Sequence, residues 1–164
     1  MLTLRRVSGV EGYDTMRELH LRQWTVDRTI HFVHTQAGVA LDRLLIASVP
    51  SETLILESQG RALAAAIWLD SGHLRVLQYL VRDPEETDTS PGELLHFHVL
   101  RLAFEDHVHE LDTMGSGGNK EHLGIPGEPG YELFIGRGAI GQAMLGLRAG
   151  QLRARPVLAR VLRR

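Results

Sequence analysis

The chain has 164 residues, 43% of them hydrophobic and 23% charged, the make-up of one folded domain rather than of a fibre or a disordered tail. It has no cysteine, which excludes disulfides, thiolate metal sites and a cysteine nucleophile. A net charge of −2 argues against nucleic-acid binding by the chain as a whole. No run approaches the ~20 apolar residues of a transmembrane helix, and the opening MLTLRRVSGVEG lacks the apolar stretch of a signal peptide. A cytoplasmic protein with no membrane span is the expectation.

The charge is unevenly spread. From Arg137 onward there are seven arginines and no acid, leaving 11 basic and 20 acidic residues in the rest of the chain. Of the 18 basic residues only Lys120 is a lysine.

In chain order, the pattern predicts a helix over 11–26, with Leu19, Leu21, Trp24 and Val26 apolar and Arg17, Glu18 and Arg22 on the polar side. A second helix is predicted over 36–48, with Val39, Leu41, Leu44 and Leu45 facing a core and Pro50 ending it. The period then shortens to two. Thr53–Glu57, Ala62–Leu69 and His73–Val81 read as antiparallel strands joined by turns at Ser58-Gln59-Gly60 and Asp70-Ser71-Gly72.

Residues 83–92 form a polar connection, after which Pro91 suits the first turn of a helix capped by Ser90. That helix is predicted to reach about His107, burying Leu94, Leu95, Val99, Leu102 and Ala103. Glu110–Thr113 reads as a short strand, Gly115–Gly118 as a flexible turn with a helical turn around Lys120, Tyr131–Gly136 as another strand, and 139–164 as mostly helical. Helices, then a meander, then alternating helix and strand predict an α+β fold with a mixed, mainly antiparallel sheet flanked by helices.

Several residues carry a family resemblance. They are Leu19-His20 with Gln23-Trp24, the small-residue strand Ala62–Leu69, Ser90-Pro91-Gly92 ahead of Leu94-Leu95, and Asp112, Gly115 and Asn119-Lys120 ahead of Gly124. In this order and spacing the chain resembles a GNAT acyltransferase domain, specifically the C-terminal domain of the FemAB-like branch. The resemblance covers about residues 12–137. It implies one GNAT-like domain over 1–164, with 138–164 a basic helical appendage. It also implies transfer of an acyl or aminoacyl group to a small-molecule or peptide amine, from acyl-CoA or aminoacyl-tRNA as co-substrate, with no permanently bound cofactor. FemAB-like proteins carry two such domains in tandem, so a homodimer mate or a partner GNAT domain is implied as well. DTSPGE stands where ordinary GNAT proteins have a glycine-rich pyrophosphate loop.

The candidate residues each have two readings. Ser90, Gly92 and Glu93 open a helix whose N-terminal N–H groups and dipole can hold phosphate; the plain alternative is a capped helix start, where Pro91 lacks a donor and Glu93 repels an anion. Lys120 can stabilise a developing oxyanion, the role the resemblance implies, or be a solvated lysine. Asp112 can take the amine's proton or bind it as an ammonium, or serve as a cap or ion-pair partner. Tyr131 can protonate the leaving thiol, or be a core or edge tyrosine. His96 and His98, two apart on a helix, point to different sides, and no HExxH motif occurs, so no metal site is expected. The arginines beyond Leu147 can meet tRNA phosphates, anionic lipid or an acidic partner, or lie in water on a packed helix. A non-catalytic GNAT-like half that binds a partner protein is the alternative to an enzyme.

Overall fold

The computed structural model describes residues 1–24 and 35–114, which fall within one compact unit, Met1–His122. The expected elements around Lys120 and Tyr131, the basic segment 138–164 and Val26 lie outside the described residues.

Strand β1 (Leu2–Ser8) opens the chain, and a single 3-10 turn (Gly9–Gly12) leads into helix α1 (Tyr13–Trp24). Helix α2 (Gln36–Ser48) follows. Strands β2 (Ser51–Ser58), β3 (Arg61–Ser71) and β4 (Leu74–Arg82) form a meander, and helix α3 (Pro91–Glu105) and strand β5 (Glu110–Asp112) complete the described part. The sheet order is β1-β2-β3-β4-β5, antiparallel except for the parallel pair β4–β5. This is the mixed α+β sheet that the sequence predicts.

Strand β1 is the element that sequence reading missed. Its residues alternate poorly and are mostly exposed, as suits a strand at the edge of the described sheet. Its ladder to β2 is supplemented by Arg5, which donates to Glu57 at 3.0 Å. Helices therefore do not come first, as the sequence suggested; a strand does.

Two helices cover one face and one the other. Tyr13, Met16 and Leu19 of α1 and Ile46 of α2 pack on Ile55, Ala65, Ile67 and Val81. On the opposite face Leu95 and Val99 of α3 pack on Leu54, Ala64, Ala66, Trp68 and Leu77. Ala64, Ala65 and Ala66 in β3 have no exposed surface, since small side chains let helices approach a central strand from both sides. The predicted α3 stripe holds, with Leu95, Val99 and Ala103 buried and Leu94 and Leu102 packed at its margin.

The two other helix faces needed correction. In α1 the buried positions are Tyr13, Met16, Leu19 and His20, while Leu21 and Trp24 are half-buried. In α2 they are Gly38, Asp42 and Ile46, whereas Leu41 and Leu44 are 54% and 63% exposed. A polar residue, Asp42, turns the α2 face because two tyrosines wait for it in the core. Gly12 is fixed by packing: a Cβ there would stand 2.3 Å from the Thr53 Cβ. The first hairpin turns through Gln59 and Gly60, both at positive φ, and the second through Gly72 at φ 76.

Candidate active site

Strand β4 is bonded to β3 from Leu74 to Arg82, but to β5 only at Leu74, Arg75 and Val76. Beyond Val76 the two parallel strands part, and no described strand covers the outer edge of β4. The fork coincides with a bulge. Tyr79 opposes Ile67 and Leu77 opposes Trp68, which leaves Gln78 as the extra residue. The bulge reverses the strand's facing: Leu77 packs with the α3 core, whereas Tyr79 and Val81 pack with the α1 core.

At the far end of the open edge lies a cleft of about 480 Å³. Its walls are Gln23 from α1, Leu80, Val81 and Arg82 from β4, Glu86 and Thr87 from the connection, and Ser90, Gly92 and Glu93 at the start of α3. The Gln23 side-chain oxygen accepts the Arg82 backbone N–H at 2.9 Å, a bond between α1 and the end of β4.

Asp83 anchors this end. Its carboxylate has no exposed surface and accepts from Arg22 at 3.0 Å and from Arg61 at 2.5 Å, while Glu85 N–H closes a local turn on it at 3.1 Å. Burial alone would raise the Asp83 pKa, but the hydrogen bond from Arg61, the Glu85 N–H and the two guanidinium charges outweigh it and hold the carboxyl below its usual range.

The start of α3 departs from the sequence expectation in one respect. Ser90 does not cap the helix with its side chain; it sits in the left-handed region at φ 43, ψ 55. A non-glycine residue there, ahead of a proline, costs about 1–3 kcal/mol. The Ser90 carbonyl accepts the N–H groups of Glu93 and Leu94 at 3.0 and 3.1 Å, and Pro91 has no N–H to offer. Among the described residues, Gly92 N–H and the Ser90 hydroxyl have no hydrogen-bond partner. Arg82 lies beside this weakened helix end. Its side chain lies against Gly92, where an added Cβ would meet Arg82 Cδ at 3.4 Å. Arg82 forms no ion pair among the described residues, although Arg22, Arg61 and Arg75 each meet carboxylates.

Of the sequence candidates, Ser90, Gly92 and Glu93 come together in the cleft. Asp112 is the last paired residue of β5, opposite Val76 at the fork, and its carboxylate accepts Met114 N–H at 2.8 Å. Lys120 and Tyr131 lie outside the described residues. Sequence reading missed Arg82 and the part played by Gln23. The only signal for Arg82 was a cation closing a strand, ten residues ahead of a helix-opening glycine. Among the described residues no three His, Asp or Glu side chains converge as metal ligands would, and no helix is long and apolar enough to cross a membrane.

The family model described as "Acetyltransferase (GNAT) domain" matches residues 2–122, the span that carries the sheet, the fork and the cleft. The chain belongs to the GNAT acetyltransferase family. No curated protein matches it. Among solved structures it is similar to a GCN5-related N-acetyltransferase from Ralstonia eutropha, with TM-score 0.64 and 9% identity over 81% of this chain and 98% of that one. It is similar to a GNAT family acetyltransferase from Brucella melitensis in complex with acetyl-CoA, with TM-score 0.59 and 14% identity over 77% of this chain and 84% of that one. It is also similar to AAC(6')-Iy in complex with the bisubstrate analogue CoA-S-monomethyl-acetylneamine, with TM-score 0.57 and 16% identity over 84% and 99%. At these identities the structural likeness speaks to the fold; the family match makes the chain a GNAT acetyltransferase domain, an enzyme of acyl transfer to an amine.

Proposed function

We propose that this GNAT domain takes its acyl group from acyl-CoA, which lies along the open half of β4, and passes it to a primary amine. The observation that carries the reading is the fork between β4 and β5. An exposed strand edge pairs with any extended chain that has amide groups, and the pantetheine arm of CoA is such a chain. From Gln78 to Arg82 the edge spans about 13 Å. Phosphates placed between the Arg82 guanidinium, Gly92 N–H and the Ser90 hydroxyl therefore leave the thioester beside the bulge. Glu86 and Glu93 oppose an anion in the same cleft, so Arg82 has the larger share of the binding in this reading.

In the reaction the amine nitrogen attacks the thioester carbonyl, a C–N bond forms, and the C–S bond breaks. The amine's proton goes to Asp112 at the fork, the carbonyl oxygen's transient charge to Lys120, and the thiolate takes a proton from Tyr131. The roles of Lys120 and Tyr131 rest on the family resemblance.

A second reading keeps the FemAB-like branch, with aminoacyl-tRNA as donor. The seven arginines from Arg137 onward favour it. A homodimer mate, or a partner protein completing a non-catalytic half, belongs with that reading. A single domain over 1–164 in the cytoplasm is the organisation that we propose in either case.

Calorimetric titration with acetyl-CoA and a longer acyl-CoA separates the two. Saturable one-site binding is expected, with Lys120→Ala still binding donor but losing transfer. No heat from either ligand overturns the acyl-CoA reading and leaves aminoacyl-tRNA or a protein partner.

A further inference from the structure

A polar network occupies the α1 face of the sheet at the bulge. Asp42 is buried, and its Oδ2 accepts two hydroxyls, from Tyr13 at 3.0 Å and from Tyr79 at 2.8 Å. Tyr79 directly follows Gln78, the bulge residue itself. Burial, and then the bond to Asp42, push both phenols well above their usual range, so the two protons stay on oxygen throughout the neutral range.

The two tyrosines differ in position. Tyr13 opens α1 and has no exposed surface. Tyr79 is half-buried and stands on the open half of β4. The His20 ring meets Tyr79 edge-on, with centroids 6.3 Å apart, and the Trp24 ring lies tilted against His20 at 6.1 Å. An aromatic row therefore runs from the C-terminal turn of α1 to the bulge, with a fixed carboxylate behind it.

This arrangement sets the polarity of the Tyr79 oxygen. Its one proton is committed to Asp42, so towards a ligand the oxygen accepts and does not donate. A group that brings N–H donors and positive charge is matched by this oxygen, the ring faces and the negative charge behind them. A carboxylate or carbonyl is not.

We infer that Tyr79 orients the acceptor amine, receiving its N–H on the phenol oxygen, and that Asp42 is a positioning residue that acts through Tyr79. The inference rests on the proposed acyl-CoA reading, because it is the thioester beside the bulge that brings the acceptor to this face. It places the amine on the α1 face of the sheet, beside the bulge.

The experiment uses the full chain, acetyl-CoA, and benzylamine, putrescine or a glycyl peptide as probe amine, with free thiol as the readout. The chain has no cysteine, so every thiol released is that of CoA. Wild type is expected to release thiol faster with amine present. Tyr79→Phe is expected to lower kcat/KM for the amine about tenfold, the loss of one hydrogen bond to a polar partner, with the acetyl-CoA Kd unchanged. Tyr13→Phe removes the matching bond to Asp42 and is expected to lower the melting temperature as much, with the amine parameter unmoved. Asp42→Asn is expected to follow Tyr79→Phe. Equal kinetics in the two Phe variants overturn the inference, and so does a weakened acetyl-CoA Kd in Tyr79→Phe alone. If wild type binds acetyl-CoA but no probe amine speeds thiol release, the amine assignment falls while the donor reading stands. If wild type binds no acetyl-CoA, both fall.

Discussion

The two ends of β4 are built to opposite plans. At its N-terminal end the strand is paired on both sides, and Arg75, only 3% exposed, is held from three directions. It donates to Asp70 at 2.7 Å and to Asp106 at 2.9 Å, and its guanidinium lies 4.8 Å from the centre of the Trp68 ring. Arg6 from β1 shares Asp106 at 3.2 Å and lies 5.7 Å from the same ring. Among the described residues, at the C-terminal end no strand pairs with the outer edge and Arg82 has no ion-pair partner, while Ser90 holds a strained backbone. One strand thus carries a buried, doubly ion-paired arginine at one end and, at the other, an arginine with no ion-pair partner among the described residues. The bulge at Gln78, in the ladder to β3, lies between the two regions.

The comparison breaks most visibly at the anchor. Arg75→Ala is expected to cost about 3 kcal/mol, since it strips two carboxylates of their buried partner and leaves a void beneath Trp68. Urea denaturation should show the loss, and the acetyl-CoA Kd of the folded fraction should stay within about twofold. Matching stability with altered binding would mean that the two ends are not separable.

Acid should loosen both ends. Burial would raise Asp106 as it would Asp83, but hydrogen bonds from Arg75 and Arg6 hold Asp106 below its usual range too. A carboxyl held lower in the fold than in the unfolded chain contributes stability that is fully present above its ordinary value, 3.8, and is lost as pH falls through the lower folded value. The urea midpoint should therefore fall below about pH 4, and the fall should be shallower in Asp83→Asn. An unchanged acid limb in that variant would show that the Asp83 cluster adds nothing to the linkage.

Arg82→Ala sharpens the comparison from the other end. About a tenfold weaker acetyl-CoA affinity is expected, near 1.4 kcal/mol, with the melting temperature unmoved, because no ion pair among the described residues is lost. Gln23→Ala should be milder. It frees one backbone N–H at the cleft at a cost of about 1 kcal/mol, with a few-fold rise in the acetyl-CoA Kd as the end of β4 loosens.

Legibility in the sequence followed the same divide. α2 was read to the residue, and the two hairpins, α3 and β5 to within a few residues, because local period and turn chemistry fix them. The facing of α2 was misread, since Leu41, Leu44 and Leu45 look like a core stripe until Tyr13 and Tyr79 bring Asp42 inward. β1 escaped because an edge strand has little alternation to show. Ser90, Gly92 and Glu93 were singled out by their position at a helix start, and the fold brings them into one cleft. Arg82 was not, because its significance depends on which arginines are already taken by carboxylates.

The sequence by itself determined the element order from α1 to β5, the mixed α+β class and the resemblance to GNAT proteins, all of which follow from short-range periodicity and from residues spaced along the chain. Only the tertiary structure decided that β4 is bulged at Gln78 and parts from β5 after Val76, and that Arg82, beside Gly92, has no ion-pair partner among the described residues. It alone placed Tyr79 and Tyr13 on one carboxylate oxygen. Strand pairing, charge partnering and a shared hydrogen-bond acceptor are contests between residues far apart in the chain, and such contests are settled only when the chain has folded.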